Sequence, residues 1–340
     1  MDTNVFVNEN FDYRSRRFRS LVSLASDDIV NVFLTDITVR EIKAQLQERV
    51  AKAVPIKLHP ILKNSSNPVI KRLPKSVTIA ALEQELMSQF DEFMMEARVA
   101  VLPVPNSVLP DVLDDYFDRR APFGVGKNKC EFPDALALHE LQLFCKSKNC
   151  QMAVITSDKA VQNACDEADC LCLYESLSKY LDSVASDNRS KSEFVRQRVL
   201  QQQTVLSDKA KDQFEHMGFS LTDQDGDVED VDLTSVELDD KAEIISLEDD
   251  WAEVEVPVTF SFQASVSYNE PGTGFYDKED DRLLWPIVIR EKVKRELHSS
   301  LYVEILFKDL DPNSVEIGEV QIQGPDIIDV KSDYWEPPLK

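Results

Sequence analysis

The chain has 340 residues, 62 acidic and 38 basic side chains, a formal net charge of −24 and 43% hydrophobic residues, enough for ordinary cores and suggestive of two domains. The acid is uneven: residues 1–200 carry 28 acids against 26 bases, residues 201–340 carry 34 against 12, so the whole-chain charge says little about what the first part binds. Eight glycines never spell GxGxxG (Gly124 and Gly126 are followed by Lys129 where the third glycine would stand) and there is no GxxxxGK[ST] loop, which argues against nucleotide binding by either device.

In chain order, Asn31 to Thr35 is a short apolar run suited to a buried strand, leading into a helix over about 37–53 with Ile42, Leu46 and Val50 on one face. A basic, proline-bearing stretch from Lys57 to Lys75 precedes a helix over about 77–97. There Ile79, Leu82, Leu86, Phe90, Phe93 and Ala97 form one apolar stripe. Ala100 to Val104 reads as a strand cut short by prolines. Pro133 opens a helix to about 147 that is apolar on most sides and belongs in an interior, and Met152–Ile155 and Cys170–Leu173 read as buried strands. Such alternation predicts a three-layer α/β domain over 1–185 with a mostly parallel central sheet.

Residues 187–217 are helix-compatible, with Gly218 as the stop, and 221–250 hold 13 acids against one base, Lys241. The prediction for 186–250 is a helical and then acidic, solvated linker. Asp223, Asp225 and Asp227 invite a calcium reading, but Val228 stands where an EF-hand turn needs glycine. From Val254 to Tyr268 apolar and polar residues alternate strictly, the signature of a long strand with one buried face. Runs at Leu283–Ile289, Leu301–Phe307 and Val315–Ile322, the last changing phase near Gly318, complete a small antiparallel β domain over 251–330, with 331–340 as a tail.

The six cysteines lie between 130 and 172 without a CxxC pair, so reduced core thiols are expected rather than a zinc site. Four histidines in separate segments give no local signature of a catalytic triad. No apolar run approaches the roughly 18 residues that span a bilayer, and there is no secretory pattern, so a cytoplasmic location is expected.

Four acids stand where the chain changes direction: Asp2 in DTNVF, Glu41 after the first strand, Asp134 at a helix start and Asp158 just after a buried strand. In an open parallel sheet such positions converge on one edge, and clustered carboxylates repel unless a divalent cation neutralises them. Hard oxygen donors suit Mg²⁺ or Mn²⁺. Each acid also has a structural explanation: Thr38-x-x-Glu41 as a capping box, Asp134 as a first-turn acid, Asp158 as a helix N-cap.

DTNVF, TDITVREI, EFPDALAL and ITSDKA, in that order, resemble the motif series of PIN-domain nucleases over about residues 1–175, and more narrowly a bacterial PIN-like group whose third motif reads EFPDA. The resemblance implies a metal-dependent endoribonuclease hydrolysing RNA phosphodiester bonds. Asp2, Glu41, Asp134 and Asp158 would be its catalytic, metal-binding acids, supported by Asn4, Thr156 and Glu131. Arg119, Arg120, Lys127 and Lys129, just before EFPDA, would hold substrate phosphates. The family carries an apolar strand ahead of its first Asp, whereas only Met1 precedes Asp2 here. The expectation is therefore a sheet without its central member, from a late start or a truncated chain, with Asp2 on a free terminus. The alternative function is a catalytically impaired PIN-like module that binds RNA or protein. A protein partner through the β domain and a homo-oligomer are further expectations; a membrane is not.

Overall fold

The structure is a computed structural model that describes residues 1–53, 79–124, 131–270, 272–277, 282–284 and 287–333. The basic stretch 57–75 and the lysines at 127 and 129 lie outside the described residues. The chain divides into two compact units, 1–188 and 189–340.

The first unit opens with a short helix, α1 (Thr3–Asn8), and α2 (Arg16–Ser26), which Ser15 caps by accepting from the Phe18 amide at 3.3 Å. Strand β1 (Phe33–Thr35) runs into α3 (Asp36–Ala53), whose start is fixed by Thr35 Oγ1 accepting from the Thr38 amide at 3.1 Å. Helix α4 (Ile79–Glu96), β2 (Ala100–Leu102), α5 (Leu109–Asp118) and α6 (Phe132–Lys148) follow. Then come β3 (Met152–Ile155), α7 (Lys159–Asp166), β4 (Leu171–Tyr174) and α8 (Leu177–Ala185). The apolar stripes do what their spacing predicts: Ile42, Leu46 and Val50 of α3, and Leu82, Leu86, Phe90 and Phe93 of α4, are all buried. Phe90 and Phe93 join Phe6, Tyr13 and Phe18 in an aromatic core, with ring centroids 5.3 Å apart for Phe6–Phe18 and 4.9 Å for Phe18–Phe93. Helix α6 is less interior than its composition suggests, since Leu143 is exposed while Ala135, Leu138 and Cys145 are buried. Of the five described cysteines, all free, Cys145 and Cys165 are buried, Cys150 is exposed and two are half-buried, so the expected core thiols are realised only in part.

The strands pair as β1 with β2 and β3 with β4, both parallel, not as one continuous ladder. What stands between the two pairs is the N-terminus. The α-amino group of Met1 donates to the Phe33 carbonyl at 3.3 Å and the Asp2 amide donates to the Ile155 carbonyl at 3.1 Å. Successive amides pointing to opposite sides, with Asp2 extended (φ −89°, ψ 159°), is strand geometry, so Met1 and Asp2 form the last step of a strand between β1 and β3. Behind them lies a cavity of about 450 Å³ lined by Met1, Val32, Phe33, Met152, Ala153 and Ile155 among others. Among the described residues no full strand lies between β1 and β3, but Asp2 does not hang free: the N-terminal pair is held by both neighbours.

The second unit begins with two helices where one was expected, α9 (Arg189–Gln201) and α10 (Gln203–Glu215); Gly218 starts a strand, β5 (Gly218–Leu221). The acidic segment is not a linker. Residues 226–238 form β6 (Gly226–Leu238) and 243–247 form β7 (Glu243–Leu247), both antiparallel to β8 (Trp251–Asn269). Its acids face solvent while Val228, Val231, Leu233, Val236 and Leu238 pair with the apolar positions of β8, so a strand forms despite the charge. After β9 (Phe275–Asp277) and β10 (Arg282–Leu284), which takes the start of the expected Leu283–Ile289 run, one long strand, β11 (Val288–Leu306), covers the end of that run and nearly all of Leu301–Phe307. Strand β12 (Glu316–Ile322) completes the order β12-β11-β8-β6, with its register slipping between Val303 and Ile305 of β11, opposite the expected phase change at Gly318. β13 (Ile327–Val330) pairs with β5 in parallel, so the unit is not purely antiparallel. Phe214 of α10 stacks on Phe260 at 5.0 Å, covering the apolar face of the sheet.

Candidate active site

Asp2, Glu41 and Asp134 come from three elements far apart in sequence and line one small cavity of about 40 Å³, together with Thr35, Thr38 and Pro133. Asp2 is positioned twice, as the end of the inserted strand and as the N-cap of α1. Its Oδ1 accepts from the Thr3 amide at 2.5 Å, while its Oδ2 accepts from Thr156 Oγ1 and from Asn4 Nδ2, both at 2.6 Å. Thr156, fully buried at the end of β3, also accepts from Asn4 Nδ2 at 3.0 Å and from the Asp158 amide at 3.0 Å.

Glu41 lies on the second turn of α3. It is not part of a capping box: the Thr38 hydroxyl bonds to Thr35 at 2.9 Å, and Glu41 Oε2 accepts from Thr3 Oγ1 at 2.7 Å. Thr3 thus ties the Asp2 turn to α3, a link the sequence pattern did not show. Its only sequence signal is its place beside Asp2. Asp134 sits in the first turn of α6. The structure brings Glu131, the residue before that helix, into hydrogen-bonding contact with Asp134.

Asp158 stands apart. It is exposed and caps α7, with Oδ1 accepting from the Ala160 amide at 2.7 Å and the Val161 amide at 3.2 Å. Its charge is still felt at Asp2. Arg119 ends α5 in the left-handed conformation (φ 57°) and is exposed. Arg120 is engaged by Asp115 at 3.0 Å and Asp118 at 2.9 Å, and Asp115 also meets His139 at 2.7 Å.

The electrostatics are those of crowded acids. Burial pushes the Asp134 carboxyl up to about 8, helped by its hydrogen bond with Glu131 and by the charges of Asp2, Glu41 and Glu131. Burial also raises Asp2 and Glu41, against the hydrogen bonds from Thr156 and Thr3 that favour their charged forms. Among the described residues no lysine or arginine forms an ion pair with Asp2, Glu41 or Asp134. Nor, as the side chains stand, does any group of three or more His, Cys, Asp and Glu side chains among those residues form a ready metal cage. The donor set itself is right for a hard divalent cation: carboxylate oxygens with hydroxyl and amide groups behind them.

Residues 1–160 match a family model described as a PIN domain, a little under half of the chain. No curated protein and no solved structure matches. Among the described residues no helix is long and apolar enough to cross a membrane.

Proposed function

We propose that the first unit, which carries the PIN domain, is a metal-dependent endoribonuclease that hydrolyses RNA phosphodiester bonds. PIN domains in general are nucleases that act on RNA with divalent metal ions such as Mg²⁺ or Mn²⁺. The EFPDA form of the third motif supports placement in the bacterial PIN-like group. The observation that carries the reading is the meeting of Asp2, Glu41 and Asp134 at one cavity, with burial and mutual repulsion raising their affinity for protons. A site that holds a proton this tightly, with no basic side chain paired to it, fits a divalent cation in the proton's place.

Asp2, Glu41 and Asp134 would hold the ion, with Glu131 beside Asp134; Asp158, the cap of α7, would join them by turning from that cap. A bound ion would supply an activated water and charge compensation at phosphorus. Thr156 and Asn4 fix the rotamer of Asp2, and Thr3 fixes that of Glu41, so these carboxylates are oriented before substrate arrives. Asp134 must give up its proton to ligate, which makes loading easier at higher pH. Arg119, exposed at the end of α5, would meet substrate phosphate, with Arg120, Lys127 and Lys129 completing that proposed group. A second reading, an impaired module that binds RNA or protein without cutting, is favoured by one feature: no three described side chains are yet disposed as a cage.

The test is cleavage of labelled single-stranded RNA by the full chain with Mn²⁺, alongside Asp134→Asn and Glu41→Gln, with Mn²⁺ binding followed by calorimetry. Cleavage and Mn²⁺ binding that both disappear in the variants support the nuclease reading. Cleavage that survives Asp134→Asn or EDTA overturns the site. Metal and RNA binding without any cleavage selects the impaired module.

A further inference from the structure

The solvent face of the C-terminal sheet carries its charge in columns. β6 and β11 both pair with β8, so three strands form rows across the face. Asp227, Asp230 and Asp232 of β6 stand in the same rows as Arg290, Lys292 and Lys294 of β11. Between them β8 contributes only Ser267, Ser265 and Gln263. All six charged residues are exposed. Acid and base in one row are two strand spacings apart, about 9.5 Å, and stand on either side of β8 without pairing. Arg290 escapes this by reaching the bulge residue Glu229 at 3.2 Å; the other five have no ion-pair partner among the described residues. The opposite face is apolar and covered by α10, so the charged columns are not a by-product of core packing.

We infer that this face is the contact surface of a homodimer. A two-fold axis lying along β8, in the plane between two facing sheets, carries the acidic column of one copy onto the basic column of the other, row on row. Asp227 then meets the partner's Arg290, Asp230 the partner's Lys292 and Asp232 the partner's Lys294. The same operation repeats all three contacts on the other side. A self-complementary face of this kind selects a second copy over other partners. A polyanion drawn to β11 would meet the acids of β6 about 10 Å away, and a simple acidic or basic peptide would match one column only. With the next two rows on the same face, Ser235–Ser261–Glu296 and Glu237–Thr259–His298, three strands and five rows amount to about 500 Å² per partner, about 1,000 Å² in all, the scale of a weak, reversible interface. Its attraction comes from exposed charges, so it fades once salt shortens the screening length well below 10 Å.

Sedimentation equilibrium of the full chain tests this. The wild type should dimerise with a dissociation constant in the micromolar range at about 50 mM salt, weakening tenfold or more at about 500 mM. The pair Lys292→Glu/Lys294→Glu and the pair Asp230→Lys/Asp232→Lys should each be monomeric alone. Mixed, they should form a one-to-one heterodimer, because every facing pair, the retained Asp227 and Arg290 included, is then opposite in charge. Unchanged thermal unfolding confirms that each variant folds; if reversal harms folding, Lys292→Gln/Lys294→Gln should still weaken the dimer measurably. A wild type that stays monomeric at about 200 µM in low salt, where a micromolar complex would be mostly formed, overturns the inference. So does a dimer indifferent to both charge pairs, or a mixture of reversed variants that remains monomeric.

Discussion

The gap between β1 and β3 makes a quantitative prediction. Adding four apolar, β-branched residues ahead of Met1 should stabilise the first unit, because the chain there already points back into a strand-wide slot. Four residues span about 13 Å, the length of β3 (Met152–Ile155), and the cavity of about 450 Å³ is large enough to take them. Burying four such side chains is worth roughly 1.5–3 kcal/mol each, and ordering them costs roughly 1.5–3 kcal/mol each in backbone and side-chain entropy, so these terms nearly cancel. The ladder decides the balance. Four to six new hydrogen bonds to the free edges of β1 and β3 contribute about 1 kcal/mol each, leaving a net gain of about 4–6 kcal/mol. The extension also converts the Met1 ammonium, whose pKa is lowered by burial, into a neutral amide donating to the Phe33 carbonyl. For a unit of 188 residues this corresponds to a Tm increase of about 8–24 °C. Scanning calorimetry of the native and extended chains measures it, with a Gly-Ser extension of equal length as the control. A Val-Ile extension that shifts Tm no more than Gly-Ser does would refute the strand slot.

Three other outcomes follow from the same structure. Asp134 has a folded-state pKa of about 8 against an ordinary 3.8, so the folded protein holds that proton more tightly than the unfolded chain. Metal-free stability should therefore fall as pH rises from about 4 to about 8, and Asp134→Asn should flatten that slope and raise Tm at the alkaline end in EDTA. Adding Mn²⁺ near pH 8 should raise the Tm of the wild type but not of this variant, with proton release visible as a buffer-dependent binding enthalpy. Thr3→Val should leave Tm within a few degrees but weaken Mn²⁺ binding by roughly 10–100-fold, because Glu41 loses the hydroxyl that orients it; undiminished binding would free Glu41 of that dependence. Gly226→Ala should destabilise the second unit by about 1–3 kcal/mol in urea unfolding, since the new Cβ would fall 2.1 Å from the Ser267 carbonyl oxygen, a backbone atom that cannot rotate away.

How much of this was legible beforehand depended on whether the periodicity ran unbroken. The stripes of α3 and α4 and the alternation of β8 are single-phase patterns, and each folded as it reads. β6 carries an equally good inward set, but its register slips at Glu229 and again at Thr234, so the apolar positions change phase twice within thirteen residues. Against a background of acids that broken alternation reads as a solvated linker. The candidate site divided along similar lines. Asp2, Glu41 and Asp134 were nameable because their motifs sit beside strands and helix starts. Asp158 was readable as a helix N-cap from its place before the helix, and that is the role it takes, whereas the reach of the Thr3 hydroxyl to Glu41 depends on a side-chain direction that no spacing encodes.

The charge of −24 resolves into two local arrangements with opposite needs. In the first unit several basic side chains are committed to other acids: Arg17 to Glu9, Arg40 to Asp36 at 3.3 Å, Arg120 to Asp115 and Asp118. With none of them paired to Asp2, Glu41 or Asp134, the repulsion there is relieved either by a proton, as Asp134 shows, or by a cation brought from solution. In the second unit the acids of β6 are exposed along an edge strand that is also bulged twice, and both features stop that edge from pairing indiscriminately with another chain. The same acids leave one specific route to association, through the face rather than the edge, where Lys292 and Lys294 of a second copy can meet them. Net charge thus decides neither function. What matters is whether each carboxylate has a counter-charge within reach, and among the described residues Asp2, Glu41, Asp134, Asp227, Asp230 and Asp232 have no ion-pair partner.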